Sequence, residues 1–98
     1  MIVEASGVLF RWESRRDDWY FVPLPAEVSA DIREVPRPGR GFGSIPVGVT
    51  VGSSSWRTSI FPDAARGVYV LPLKRSVRER EGISEGDTVS VRLDVQDG

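Results

Sequence analysis

The sequence predicts a mainly β domain, a small closed or nearly closed barrel with two short helices capping its ends. Three observations carry that reading. A chain of 98 residues is one domain, able to bury roughly 60–70% of the surface its unfolded form exposes, around a single core. Apolar residues alternate with period two along about six short runs separated by Gly, Pro and polar turns, whereas helical periodicity is confined to two short stretches. The chain also echoes itself: Tyr20–Val28 reads YFVPLPAEV and, 49 positions later, Tyr69–Val77 reads YVLPLKRSV. Both copies run Tyr, two apolar residues, Pro, Leu, three residues, Val. An internal pseudo-twofold repeat is therefore expected, each half supplying a strand, a capping helix and a return strand.

Taken in order, residues 2–12 (IVEASGVLFRW) predict a strand whose apolar phase slips. Val3 and Ala5 fall on one face and Val8, Phe10 and Trp12 on the other, as a bulge near Ser6–Gly7 would produce. ESRRDD, residues 13–18, reads as a solvated hairpin tip. Residues 18–22 (DWYFV) form a second strand, stopped by Pro23, which cannot donate to a ladder. Pro25 suits the first turn of a helix, where its missing N–H has no partner to lose. From Ala26, Val28, Ile32 and Val35 fall at i, i+4 and i+7, one helical face that Pro36 and Pro38 end. In the loop 36–44 (PRPGRGFGS), GRGFGS superficially resembles a phosphate-cradling glycine loop. A dinucleotide fingerprint needs a strand before it and a helix after it, the reverse of the order here, so the loop reads as a connector.

Ile45, Val47, Val49 and Val51 alternate with Pro46, Gly48, Thr50 and Gly52, predicting a half-buried strand over 45–52. Gly52–Ser55 is a hairpin turn, 56–62 (WRTSIFP) its return strand, and Asp63–Gly67 a further turn. The second copy of the repeat then begins at Val68. Pro72 breaks its strand, Leu73–Glu81 makes about two helical turns, and Gly82 is the expected C-terminal cap. Ile83 returns to the core, and Ser84–Asp87 turns the chain with Gly86 at positive φ and Asp87 holding its own turn. Val89, Val91, Leu93 and Val95 alternate with Thr88, Ser90, Arg92 and Asp94 as the last strand.

Composition narrows the chemistry. With no Cys and no His, thiolate or imidazole zinc sites, Cys nucleophiles and His bases are excluded. The eleven serines find no candidate activating base except Lys74, the one lysine among thirteen cations. The acidic pairs Asp17–Asp18 and Glu85–Asp87 lie in turns where nothing desolvates them. The chain is thus not expected to be an enzyme or to carry a cofactor or a metal. A formal charge of −1 supplies no long-range pull toward polyanions, so nucleic acid is not expected as a partner. No apolar run approaches the ~20 residues of a membrane span, and MIVEASGVLF has neither the basic nor the apolar region of a signal peptide. A cytoplasmic protein without a membrane partner is the expectation, and the absence of Cys agrees with it.

Several motifs recur together: DWYFVPLPAEV, then from Gly41 GFGSIPVGVTVGSSSWRTSIFPDAARGVYVLPLKRSVREREGISEGDTVSVRL. In these the chain resembles a bacterial domain-of-unknown-function family found alone or fused to YdeI/OmpD-associated (bacteriocin-protection) domains. The resemblance implies a double-split β-barrel, or pseudobarrel, and LPLKRSVREREGISEGDTVSV is similar to the unit of AbrB/MazE-type regulators. Those regulators assemble the barrel from two chains, so two units in one chain imply a monomer. In that unit an apolar residue usually precedes Gly-Ile; here Glu81 does, and a carboxylate is costly to bury unpaired, so the second helix is expected to pack less deeply. The family carries no established activity, and the regulator likeness supplies a DNA-binding reading by fold analogy only, with the Arg-rich segment Arg33–Arg40 as its one support.

The candidate site is a basic patch. Lys74 and Arg78 lie four apart on one helical face with Arg75 beside them, and Arg57 and Ser59, on the strand face opposite Trp56, could join them. Trp56, Arg57, Ser59, Lys74 and Arg78 are therefore the expected binding residues for an anionic small molecule or a protein partner's acidic segment. Trp19, Tyr20, Trp56, Phe61 and Tyr69 are candidates for an aromatic rim, or simply for the core of a small barrel.

Overall fold

A computed structural model describes residues 1–12, 19–34 and 43–96. In chain order the elements are β1 (Ile2–Val8), β2 (Phe10–Trp12), β3 (Trp19–Pro23), α1 (Ala26–Glu34), β4 (Ile45–Val51), β5 (Ser54–Asp63), β6 (Val68–Pro72), α2 (Arg75–Glu81) and β7 (Thr88–Val95). All strand pairs are antiparallel, in the order β1-β7-β4-β5-β6-β3-β2. The sheet curls into a half-barrel, and its two outermost strands, β1 and β2, are consecutive in the chain. The mainly β class with two short helices is as expected. The ESRRDD tip with Asp17–Asp18, Val35 and the loop residues 36–42 lie outside the described residues.

The first strand differs from expectation. Residues 2–12 form two strands, because Leu9, 1% exposed, leaves the β7 ladder. It donates its N–H to Asp87 O at 2.9 Å and accepts from Gly86 N–H at 2.8 Å. No slip occurs at Ser6–Gly7: Val3, Ala5 and Gly7 all stay on the half-buried face that leads to Leu9. Gly7 serves close packing, since a Cβ there would run into the Pro23 carbonyl oxygen and press on Val22. β5 changes partner in the same way. It pairs with β4 through Ile45↔Ile60 and with β6 from Phe61↔Val70 onward, so Ile60, fully buried, is its junction.

The alternating runs pack as their period requires. Ile45, Val47, Val49 and Val51 of β4 and Val89, Val91, Leu93 and Val95 of β7 are all buried. Val22, Leu24, Ile32, Ile60, Leu71, Leu73 and Val77 complete the core. Each fully buried aliphatic side chain contributes roughly 1.5–3 kcal/mol relative to exposure. The β4–β5 turn is tighter than the expected Gly52–Ser55, because Val51 pairs with Ser54 across a two-residue loop in which Gly52 takes φ 57°. Gly82 caps α2 at φ 66°, Gly86 takes φ 91°, and Asp87 Oδ2 accepts the Ser84 N–H at 2.8 Å, as their positions predicted.

The two copies of the repeated segment lie side by side. Val22 pairs with its own counterpart Leu71, while Phe21↔Pro72 and Pro23↔Val70 exchange counterparts. Leu24 N–H donates to Tyr69 O and Leu73 N–H to Tyr20 O, each at 2.9 Å. These exchanges describe a local two-fold axis through the Val22–Leu71 pair. The two helices also begin at matching residues, Ala26 and Arg75.

Candidate functional site

The second copy opens where the first is closed. Between α2, β5 and β3 lies a cleft of about 860 Å³ lined by Trp19, Tyr20, Trp56, Arg57, Thr58, Phe61, Pro72, Leu73, Lys74, Arg75 and Arg78. Pro72 ends β6 and aims the chain into α2, whose one core anchor is Val77, 1% exposed. With Val77 inward, Lys74, Arg75 and Arg78 fall along the side of the helix that borders β5. Among the described residues four aromatic rings and four cations meet here, and none of those lining the cleft is Asp or Glu.

The cations are not equivalent. Arg78 lays its guanidinium over the Tyr20 ring at 3.8 Å and donates from Nε to Leu73 O at 3.1 Å, so it is held in place by its own fold. Arg75 pairs with Glu79 at 2.9 Å on an exposed helical turn, a pair of little energetic weight. Lys74 Nζ stands 5.8 Å from the Trp56 ring centroid and has no carboxylate within bridging distance among the described residues. Arg57 makes no hydrogen bond or ion pair among the described residues. It borders the cleft and also a smaller recess of about 350 Å³ on the outer face, where Asp94 flanks Gly48 from the opposite strand.

Four of the five expected site residues, Trp56, Arg57, Lys74 and Arg78, thus meet in one cleft. Ser59 does not join them. It is half-buried opposite Pro46 in the β4–β5 ladder, and Thr58 takes the place it was expected to fill. Alternation along β5 puts Thr58 on the Trp56 face, opposite Ser59, and the turn of the strand from β4 toward β6 just beyond Ile60 brings Phe61 to the same opening. Of the aromatic candidates, Trp19, Tyr20, Trp56 and Phe61 line the cleft, while Tyr69 is buried at 7% exposure. The pairing of Arg78 with Tyr20, from elements 49 or more positions apart, had no local signal beyond the repeat itself.

The C-terminal end of α2 carries a second polar cluster. Glu81 accepts from Ser54 Oγ at 2.6 Å and Ser53 Oγ at 2.9 Å, and Arg80 donates to Ser54 Oγ at 3.1 Å. The serine hydroxyls, Ser54 first, hold the Glu81 carboxyl below its ordinary value. Glu81 thereby ties the tip of the β4–β5 hairpin to α2, the two walls of the cleft. The second helix packs less deeply than the first, as expected: α2 buries Val77 alone where α1 buries Ser29 and Ile32, and Glu81 stays near the surface among hydroxyl donors. Ser53 and Ser54 read as turn residues in the sequence, and nothing local marked them as the partners of a residue 28 and 27 positions onward.

Among the described residues no group of His, Cys, Asp and Glu side chains could hold a metal ion. None of the helices described is long and apolar enough to cross a membrane. Fold and cleft together define a small curled β domain with one open basic–aromatic groove. Residues 6–93 match the family described as Domain of unknown function (DUF1905), and the chain belongs to that family. Comparison with curated proteins found no match.

Proposed function

We propose that this chain is a non-enzymatic binding module that holds an anionic small molecule in the cleft between α2 and β5. The observation that carries this reading is the pair Arg57 and Lys74, cations without carboxylate partners at a concave site that no Asp or Glu lines, all among the described residues. In a chain of net charge −1 such a concentration of cations makes a local positive field, and an anion entering it accepts charge-assisted hydrogen bonds in which both partners are ionised. Pre-positioned Arg78 adds a guanidinium at no further ordering cost. In this reading the chain is monomeric, with both repeat copies supplied by one polypeptide in the double-split arrangement its family resemblance implies, and it acts in the cytoplasm.

A thermal-shift panel of organic acids, sugar phosphates, nucleotides and amino acids tests the proposal. A stabilising anion whose effect disappears in Lys74→Ala and Arg57→Ala, both variants melting within a few degrees of the parent, is the expected result. Stabilisation that survives both substitutions overturns it. Duplex DNA belongs in the same panel, because AbrB/MazE-type regulators motivate a DNA-binding alternative. No feature of the cleft favours that alternative, and DNA as the sole hit, fading with salt, would replace the present reading.

A further inference from the structure

The groups in the cleft sort into those already used by the fold and those left open. Tyr20 is covered by the Arg78 guanidinium and Trp56 faces the Lys74 ammonium. Trp19 stacks on Phe21, with centroids 6.2 Å apart and planes at 11°, which occupies one face and leaves the residue 54% exposed. Phe61 is 41% exposed and has no ring or cation partner among the described residues. Two aromatic surfaces therefore stand open at the same cleft as Arg57 and Lys74, two cations without a carboxylate partner among the described residues.

That combination selects a ligand class. A simple aliphatic anion satisfies Arg57 and Lys74 and leaves Trp19 and Phe61 wet. A neutral ring covers the aromatics and leaves the cations without a counter-charge. Large aromatic side chains bury on the order of 150–250 Å² each when covered, so an occupant that leaves them open forgoes that apolar burial. We infer that the ligand is a flat ring bearing an anionic group, the ring laid against Trp19 and Phe61 and the phosphate or carboxylate held by Arg57 and Lys74. The cleft volume of about 860 Å³ lies within the ~300–1,000 Å³ typical of small-molecule sites and accommodates a molecule of mononucleotide size.

This inference rests on the anion-binding reading, and the test separates the two. Titration calorimetry compares adenosine monophosphate and indole-3-acetate, as the phosphate and carboxylate versions of the class, with ribose 5-phosphate and succinate, which carry charge without an aromatic ring. The expected result is at least tenfold tighter binding for a ring-bearing anion than for its aliphatic counterpart. Trp19→Ala and Phe61→Ser erase that preference by bringing the ring-bearing anion down to the affinity of its aliphatic counterpart, and Arg57→Ala weakens both. Equal affinity for ring-bearing and aliphatic anions, or a preference untouched by Trp19→Ala and Phe61→Ser, overturns the ring assignment and leaves the anion site standing. No binding of any of the four probes at millimolar concentration overturns both. Which of the two ring-bearing probes binds decides between phosphate and carboxylate.

Discussion

The two copies of the repeated segment use one backbone plan to opposite ends. In the first, Ser29 occupies the helical position that Arg78 occupies in the second, 49 residues on. Ser29 is fully buried, and its Oγ accepts the Tyr69 N–H at 3.1 Å, so α1 is sealed onto β6. Arg78 is too large and too strongly charged to enter the corresponding place. It lies instead across the Tyr20 ring, and α2 stands off from β3 with the cleft between them. The neighbouring strands repeat the contrast. Gly7, two residues before the junction at Leu9, lets β1 press onto Pro23, whereas Thr58, two residues before the junction at Ile60, lines the cleft beside Pro72. A duplicated fold therefore makes one closed interface and one open site by changing side-chain size at a few matching positions.

Substitutions on the closed side should cost the most. Gly7→Ala pushes a methyl into the Pro23 carbonyl, backbone against backbone, and is expected to destabilise by about 3 kcal/mol, at the upper end of overpacking penalties. Urea denaturation measures it, and a loss under about 0.5 kcal/mol would mean that β1 and β3 separate easily and that the closed side is not rigid. Ser29→Ala removes the acceptor from a buried N–H and should cost about 2 kcal/mol by the same measurement. A neutral outcome would show that water reaches Tyr69 N and that the first copy is more open than its packing indicates.

The hairpin clasp is expected to have the smallest effect and a distinctive pH dependence. Glu81 has a folded pKa lowered from the ordinary 4.5 by its serine donors. A depressed carboxyl contributes stability that is fully present above the unfolded pKa and is lost as pH falls through the folded value. The parent should therefore exceed Glu81→Gln in melting temperature near neutrality, and the gap should narrow as the pH falls below 4.5. A gap that stays constant over that range would assign Glu81 a packing role only. Because Glu81 joins the β4–β5 hairpin to α2, the same acidification should loosen binding in the cleft.

What the sequence determined by itself was local. Period-two alternation in Ile45–Val51 and Val89–Val95, the prolines at 23 and 72, and the glycines at 82 and 86 follow from backbone sterics and side-chain direction within a few residues, and the structure places them accordingly. Helical spacing and the strand run from Trp56 also made four of the residues that line the cleft legible: Trp56, Arg57, Lys74 and Arg78. Tertiary structure alone decided where strands change partners, because the break at Leu9 and the bend beyond Ile60 depend on which ladder is within reach. It decided in the same way that Phe61 reaches the cleft, that Ser29 is buried beneath Tyr69, and that Glu81 finds Ser53 and Ser54. Each of these is a contact between residues distant in sequence, whose free energy exists only once the sheet has curled and brought them together.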